Sequence, residues 1–226
     1  MNILIDMIEN SLEENEQILS EREICEIYNV SRTTVRQAMD ELEKEGYIYK
    51  IHGKGTFVSP KRMNQDLISF YSFTEEMKKL GKVPSSEVTG FEIVQGDEKI
   101  CSIFNIGIDD LLYRISRIRK ADGLPMMYET TYLPFNRFKG IEKEQLEENP
   151  MYDVLLKCFN TKITSAEEYF MPILTNKLES VYLDIKEGSP SLKIERFTYE
   201  NTNVIEYTVS VARGDKFKYR VKLKNN

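Results

Sequence analysis

The amino-acid sequence predicts an α+β protein in two parts: helices with a β-hairpin first, then an antiparallel sheet with added helices. In the first sixty residues, apolar side chains recur at helical spacing, as at Val35, Met39 and Leu42. Later runs with strand character follow one another across tight turns, and strands joined in this way pair antiparallel. The polar, proline-containing stretch SPKRMNQDLIS separates the two parts.

Length and composition bound the class of protein. The chain has 226 residues, of which 41% are hydrophobic and 30% charged, as in an ordinary soluble protein of one or two domains. No run approaches eighteen uninterrupted apolar residues, and the acidic N-terminal stretch MNILIDMIENSLEENEQ lacks the features of a signal peptide. We therefore expect a cytoplasmic protein with no membrane partner.

Cysteine and histidine usage excludes several kinds of site. The three cysteines, Cys25, Cys101 and Cys158, are far apart and lack metal or redox spacing, which favours reduced thiols. The single histidine, His52, excludes zinc sites built on several histidines. A Ser-His-Asp triad would have to use His52, whose glycine-rich surroundings favour a surface turn. We expect no metal, no cofactor and no catalytic residue, so the chain is not predicted to be an enzyme.

Charge is unevenly distributed. The net charge of −6 argues against a non-specific nucleic-acid coat. However, residues 27–39 contain two arginines and no acid, and residues 46–62 contain four lysines or arginines, His52 and no acid. A locally basic surface on an acidic protein is typical of a binder that touches phosphates at a few chosen points.

Helix signals organise the first part of the chain. Apolar periodicity predicts a helix from residue 3 to about residue 12. Ser20 and Glu23 form a capping-box pattern at the start of a second helix. Ser31 is placed to cap a third helix that ends at Gly46. The last two helices, joined by a tight turn, form a helix-turn-helix pattern.

The stretch SRTTVRQA places apolar side chains and hydrogen-bond donors on opposite sides of one helix. Its apolar residues face inward, while Arg32, Thr33, Arg36 and Gln37 lie together on the opposite side. Donors at the N-terminal end of the second helix in such a motif meet base edges and phosphates in the major groove. The alternative is the solvated face of an ordinary helix.

A glycine-rich hairpin follows. Two short β runs, 47–51 and 56–59, flank the tip HGKG. The glycines permit close backbone approach, and His52 and Lys54 add donors, a combination that fits a minor groove. The alternative is a plain surface turn.

Three stretches in this order and spacing, LSEREI, SRTTVRQAMDELEKEGYI and HGKGTFV, resemble the winged helix-turn-helix domain of GntR-type transcription regulators. The resemblance implies a DNA-binding domain over residues 1–60, followed by a linker over residues 61–69. It also implies that double-stranded operator DNA is contacted from the helices and the wing. The implied DNA-binding residues are Arg22, Ser31, Arg32, Thr33, Thr34, Arg36, His52, Gly53 and Lys54.

The rest of the chain alternates strands with short helices. We predict a helix at SFTEE, a strand at EVTGFEIV, a hairpin across ADG, helical stretches over residues 141–159, a strand over 167–171, a helix over 174–183 and three final strands. The stretches RISRIRKADGLPMMYETTYLP, LDIKEGSPSLKIERFTYE and VIEYTVSVARGDKFKYRV resemble the UTRA effector domain of the HutC subfamily. The resemblance implies a chorismate lyase-like fold over residues 70–226, a small-molecule pocket and a homodimer.

The residue types favour an anionic ligand in this pocket. Arg117 and Arg119 share one face of a strand, and a shared anion would relieve their repulsion. Glu129 and Glu206 are placed to accept from ligand hydroxyls or amines, and Thr74 begins a helix whose N–H groups favour an anion. The alternative is that the arginines pair with Glu129 and surface acids in a solvated sheet.

Four other residues were considered beside this prediction. Arg213 and Asp215 in ARGD are expected to form a structural ion pair at a turn. Some phosphosugar-binding relatives have serine in an S-L-Y segment where this chain has NPMYDVL, so Pro150 cannot supply that hydroxyl. They also have tyrosine in Y-R-G-D, where this chain has Ala212. Both departures weaken any transfer of ligand identity.

The sequence thus predicts a homodimeric transcription regulator, a repressor controlled by a small anionic effector such as a phosphorylated sugar. Two alternatives stay open at this stage. One is a lyase-like enzyme domain fused to a DNA-binding module. The other is a ligand-free DNA-binding protein, which would need a filled core in place of the pocket.

Overall fold

The computed structural model describes residues 2–59, 63–66 and 72–220. The chain divides into two compact units, Met1–Arg62 and Met63–Asn226. The first unit contains α1 (Asn2–Asn10), α2 (Glu21–Tyr28), α3 (Arg32–Lys44), β1 (Ile48–Ile51) and β2 (Gly55–Val58), in the predicted order. Among the described residues, no helix combines the length and apolar character that crossing a membrane requires.

Local sequence signals set the helices of the first unit. Ser20 and Glu23 form the predicted capping box at the start of α2. Asn29 ends that helix in a left-handed conformation, with φ 53°, which turns the chain toward α3. The Ser31 side chain caps α3 by accepting from the Thr34 N–H at 3.2 Å. The core of this unit consists of Leu4, Ile8, Ile18, Ile24, Val35, Met39, Leu42, Ile48 and Val58.

The hairpin is antiparallel, as predicted, and a third segment of the chain is hydrogen-bonded to it. β1 and β2 pair from Ile48 opposite Val58 to Ile51 opposite Gly55. The chain preceding α2 also runs beside β2, because the Ile18 N–H donates to the Thr56 carbonyl at 2.9 Å. The wing is therefore anchored on both sides of β2.

The described strands of the second unit are β3 (Met63–Asp66), β4 (Pro84–Gln95), β5 (Leu111–Ala121), β6 (Leu124–Pro134), β7 (Ser165–Leu174), β8 (Pro190–Glu200), β9 (Asn203–Arg213) and β10 (Phe217–Arg220). Six of them, β4 to β9, form an antiparallel sheet with the order β4-β5-β6-β9-β8-β7. Its helices are α4 (Phe73–Lys79), α5 (Glu98–Phe104), α6 (Lys143–Glu148), α7 (Met151–Phe159) and α8 (Lys177–Leu183).

The last strand differs from the prediction. Tight turns imply antiparallel pairing, but β10 leaves the large sheet and pairs parallel with β3. The physical reason is burial, because Phe217 enters an apolar cluster with Met77 and Met126. β3 lies within the stretch expected to be a linker, residues 61–69, of which only 63–66 are described. The domain boundaries 1–60, 61–69 and 70–226 stay a prediction.

Helix α5 was not predicted, although its signals are present in the sequence. The Asp97 side chain caps it by accepting from the Ile100 N–H at 2.8 Å. Its buried residues Ile100, Cys101 and Phe104 follow helical spacing. The helix is short, at seven residues, so its periodicity is brief.

Alternation along the strands divides the sheet into two faces. We call the inner face the side that carries Ile115, Arg117 and Glu129, and the outer face the side that carries Ser116 and Thr130. The inner face packs on α6 and α7 through an apolar cluster that includes Ile115. On the outer face, α5 packs on Leu112 and Tyr207.

Candidate nucleic-acid surface and ligand cavity

The nine residues predicted to contact DNA are all exposed in the first unit. Arg32, Thr33 and Arg36 project from the side of α3 opposite its buried residues Val35 and Met39. His52, Gly53 and Lys54 form the exposed turn between β1 and β2. Gly53 has φ +74°, a conformation that favours glycine.

The two arginines of α3 differ from Arg22 and Lys50 in their ion pairing. Among the described residues, neither Arg32 nor Arg36 forms an ion pair. In contrast, Arg22 lies 2.9 Å from Glu26, and Lys50 is neutralised by Asp40 and Glu43. Lys61 and Arg62 lie outside the described residues. Within the described part of this surface, the predicted DNA-binding cations without an ion pair are therefore Arg32 and Arg36 on α3 and Lys54 in the wing turn.

The hydroxyls at the start of α3 already have partners. The Ser31 side chain accepts from the Thr34 backbone N–H, and the Ser31 and Thr34 hydroxyl oxygens are 2.8 Å apart. These contacts fix the N-terminal turn of α3. In this arrangement Ser31 orients the helix that carries Arg32 and Arg36.

In the second unit, one cavity brings together all five predicted effector-binding residues: Thr74, Arg117, Arg119, Glu129 and Glu206. The cavity leaves about 60 Å³ for the centres of water-sized molecules, well above the roughly 10–15 Å³ that one water needs. It lies on the inner face of the sheet. The sequence did not single out Phe73, Tyr152, Glu168, Arg196, Thr208 and Ser210, which also line it.

Two arginines share one carboxylate at the basic end of this cavity. Arg117 lies opposite Glu129 in the sheet and pairs with it, and Arg119 Nη1 is 3.1 Å from Glu129 Oε1. Arg119 Nη2 also donates to Thr74 Oγ1 at 2.9 Å, and its guanidinium lies 4.9 Å from the Phe73 ring centre. The alternative interpretation, in which the arginines pair with Glu129, is thus correct about the pairing, but the sheet is buried at this point and not solvated. The two guanidiniums and one carboxylate together carry one excess positive charge.

Burial and charge act against each other at these groups. Burial alone would raise the pKa of Glu129, but the guanidiniums of Arg117 and Arg119 hold that pKa below its ordinary value. Burial lowers the pKa of Arg119; the charge of Glu129 opposes this effect, and repulsion from Arg117 adds to it. Among the described residues, the Nε atoms of both arginines are buried and have no hydrogen-bond partner. An anion that accepts hydrogen bonds here would satisfy donors that the protein leaves unpaired.

The other end of the cavity is a hydrogen-bonded network around Glu206. Its carboxylate accepts from the hydroxyls of Thr198 and Thr208, and from Tyr152 Oη at 2.9 Å. Arg196 Nη1 donates to Tyr152 Oη at 3.0 Å. Burial raises the pKa of Tyr152, so its phenol stays protonated at neutral pH. This network presents Glu206 in an ordered geometry.

Two local predictions can be compared with the structure. Thr74 lies in the first turn of α4, but Ser72 caps the helix by accepting from the Glu75 N–H at 3.2 Å. The Thr74 hydroxyl instead accepts from Arg119. Arg213 and Asp215 form the predicted ion pair at the turn, with 2.8 Å between Nη2 and Oδ2.

Comparison with known proteins identifies both parts of the chain. Residues 2–58 match the GntR family of bacterial regulatory proteins, and residues 79–218 match the UTRA domain. The HTH-type transcriptional repressor NagR of Bacillus subtilis is 35% identical over 201 residues, which cover 88% of this chain and 82% of the relative.

A second relative and one solved structure agree with this match. The mannosyl-D-glycerate transport/metabolism system repressor MngR of Escherichia coli is 28% identical over 193 residues, which cover 85% of this chain and 80% of that protein. The crystal structure of PhnF from Mycobacterium smegmatis has a TM-score of 0.72 at 23% identity and covers 100% of this chain and 99% of that one. This likeness confirms the predicted fold of both parts.

Proposed function

Since the chain belongs to the GntR family of bacterial regulatory proteins and carries a UTRA domain, we propose that it is a homodimeric transcriptional repressor whose affinity for operator DNA is controlled by a small anionic metabolite. The favoured effector is a phosphorylated sugar or a related compound. The observation that carries the proposal is that the five residues expected to bind an effector all line one cavity.

The first unit supports the DNA-binding half of this proposal. Arg32 and Arg36 are exposed on one side of α3 and form no ion pair among the described residues. Their guanidiniums are thus available to guanine edges or phosphates in a major groove. The wing turn, residues 52–54, offers exposed donors to a neighbouring minor groove.

The cavity supports the effector half. Arg117 and Arg119 share the single carboxylate of Glu129, and their buried Nε donors have no partner within the described part of the chain. This arrangement favours binding of an anionic group. Glu206, at the other end, suits ligand hydroxyls. Relatives named as repressors of mannosyl-D-glycerate and fructoselysine systems favour a sugar-derived ligand.

The two alternatives have less support. Members of this family are transcription regulators, so the fold gives no reason to expect lyase activity. A ligand-free DNA-binding protein would have a filled core at Arg117, but a cavity lies there.

We propose that the effector regulates operator affinity by changing the distance between the two α3 helices of the dimer. Two winged helices reading adjacent half-sites would hold their α3 helices about 34 Å apart. An effector that favours a dimer geometry with another spacing would weaken operator binding, typically by about 1–3 kcal/mol.

The proposal is tested by thermal shift and operator binding on the same preparation. Phosphorylated sugars, their unphosphorylated parents and small carboxylic acids are compared on wild type, Arg119→Ala and Lys120→Ala. Lys120 is the matched control, because it is the next residue on β5 and pairs with Glu87 outside the cavity. A ligand at about 100 times its dissociation constant should stabilise wild type by about 2.7 kcal/mol.

Three outcomes separate the parts of the proposal. A phosphate-dependent shift that is kept in Lys120→Ala and lost in Arg119→Ala supports the anion site. A shift of equal size in both variants argues against it. A ligand that binds but leaves operator affinity unchanged contradicts the regulatory mechanism.

A further inference from the structure

Strand β10 places a tyrosine beside the wall of the ligand cavity. The Tyr219 ring packs on Phe170 of β7, with 5.0 Å between the ring centres. Pairing registers align Phe170 with Glu129 across β8 and β9, so Phe170 lies on the inner face of the sheet. Glu168 lies two residues earlier on the same side of β7 and lines the cavity. Tyr219 therefore packs against the inner face next to the cavity.

The hydroxyl of Tyr219 is buried, and it has no hydrogen-bond partner across the residues that the structure describes. Burial raises the pKa of this phenol, the negative charge of Glu168 adds to the rise, and the positive charge of Arg196 opposes it. Since electrostatic effects fall off with distance, Glu168 and Arg196 both lie near the hydroxyl. Most buried hydroxyls have a partner, so an unpaired donor beside a carboxylate calls for an explanation.

Hydrogen bonds run from Glu206 across the cavity and end beside this hydroxyl. Tyr152 Oη donates to Glu206 at 2.9 Å and accepts from Arg196 Nη1 at 3.0 Å. Arg196 Nε donates in turn to Glu168 Oε1 at 2.7 Å. Glu168 is thus bonded to one donor, Arg196, and lies near a second donor, the Tyr219 hydroxyl. An effector group that accepts from Arg196 would compete with Glu168 for that guanidinium.

Strand β10 is also joined to the segment between the two units. It pairs in parallel with β3, from Phe217 opposite Met63 to Arg220 opposite Asp66. β3 follows the first unit directly in the sequence, since that unit ends at Arg62. Because backbone hydrogen bonds join the two strands, an interaction that fixes β10 also fixes β3.

We propose that Tyr219 is a positioning residue for the effector: when the effector accepts hydrogen bonds from Arg196, Glu168 takes the Tyr219 hydroxyl as its donor, which fixes β10 and, through the parallel pairing, β3. A buried carboxylate that loses one donor needs another, and Tyr219 is the unpaired donor beside it. This inference rests on the effector site of the proposed function. It describes how occupancy of that site reaches the segment that follows the first unit.

The test measures ligand affinity of the full chain by isothermal titration calorimetry. It compares wild type, Tyr219→Phe and Tyr199→Phe. Tyr219→Phe removes one hydroxyl and keeps the aromatic ring that packs on Phe170. Tyr199→Phe is the matched control, because the Tyr199 hydroxyl donates to Glu167 at 3.4 Å, outside the cavity lining.

Two probes separate the ends of the cavity. Glucose 6-phosphate carries a phosphate, which suits Arg117 and Arg119, and hydroxyls, which suit Arg196 and Glu206. Inorganic phosphate carries the anionic group without those hydroxyls. Hydrogen–deuterium exchange with and without glucose 6-phosphate reports on the backbone amides of residues 63–66 and 217–220.

We expect Tyr219→Phe to weaken glucose 6-phosphate binding about tenfold, as loss of a hydrogen bond to a charged group does. Binding of inorganic phosphate should not change, and Tyr199→Phe should behave as wild type with both probes. Glucose 6-phosphate should slow exchange in β3 and β10 of wild type but not of Tyr219→Phe. Because the hydroxyl is unpaired, Tyr219→Phe should keep the melting temperature that wild type has without a probe. In a Glu168→Ala background, Tyr219→Phe should have no further effect on affinity.

Other outcomes overturn the inference in distinguishable ways. If Tyr219→Phe binds glucose 6-phosphate as wild type does, or still weakens binding in the Glu168→Ala background, the inference is wrong and the proposed function stands. If Tyr219→Phe lowers the melting temperature and weakens both probes equally, Tyr219 supports only the fold. If wild type binds neither probe, the proposed site for a phosphorylated sugar is wrong and the inference fails with it.

Discussion

Arg117 on β5 and Glu129 on β6 lie directly opposite each other in the sheet and form an ion pair in which both side chains are less than a tenth exposed. Glu129 also pairs with Arg119, so one carboxylate holds two buried guanidiniums in place. These two pairs leave one excess positive charge among the three groups, and the proposed anion site depends on that charge. The first two predictions follow from this relationship.

Replacing Glu129 with glutamine should destabilise the protein. The substitution leaves two buried guanidiniums without a counter-charge, and breaking a buried pair in this way typically costs about 3–5 kcal/mol. Urea unfolding of the ligand-free protein measures the loss. Glu92→Gln is the control, because its pair with Arg114 is half exposed and should contribute about 1 kcal/mol or less. Equal losses in the two variants would contradict this account.

Lowering the pH should reduce the folding stability of the wild-type protein through protonation of Glu129. The folded pKa of Glu129 lies below its ordinary value of 4.5, so its stabilising contribution is complete above pH 4.5 and is lost as pH falls through the folded pKa. The stability difference between wild type and Glu129→Gln should therefore shrink on acidification below pH 4.5. The slope should not exceed about 1.4 kcal/mol per pH unit. A difference that is constant from pH 7 to pH 3 would contradict the assignment.

Arg36→Ala should weaken operator binding by about 1–3 kcal/mol if its guanidinium reads a guanine. Arg36 is exposed on α3 and forms no ion pair among the described residues, so the fold does not depend on it. Fluorescence anisotropy on operator and random duplexes at one salt concentration measures the effect. An equal loss on both duplexes would reassign Arg36 to a phosphate contact.

Ser31 tests whether helix capping and DNA contact can be separated. Asparagine and aspartate both cap helices well, so Ser31→Asn and Ser31→Asp should keep the thermal stability of the first unit. Aspartate adds a negative charge at the DNA surface and should weaken operator binding more than asparagine does. Ser31→Ala should cost about 1 kcal/mol of stability through loss of the cap. Equal DNA affinity of the asparagine and aspartate variants would place Ser31 away from the phosphates.

Local chemistry made most of the first unit predictable. Caps at Ser20 and Ser31 and the apolar spacing of Val35, Met39 and Leu42 each act within a few residues. The packing of residues 15–18 beside β2 was not predictable, since it joins segments about forty residues apart.

The sequence by itself determined the basic end of the cavity. The turn at ADG joins β5 directly to β6, so alternation and a short loop were enough to bring Arg117, Arg119 and Glu129 together. Only the tertiary structure decided the other end. Arg196 and Glu168 reach the cavity because β9 inserts between β6 and β8, an order that no local pattern specifies. Helix caps, tight turns and the periodicity of apolar residues act over a few residues, whereas the order of strands is set by burial across the whole unit.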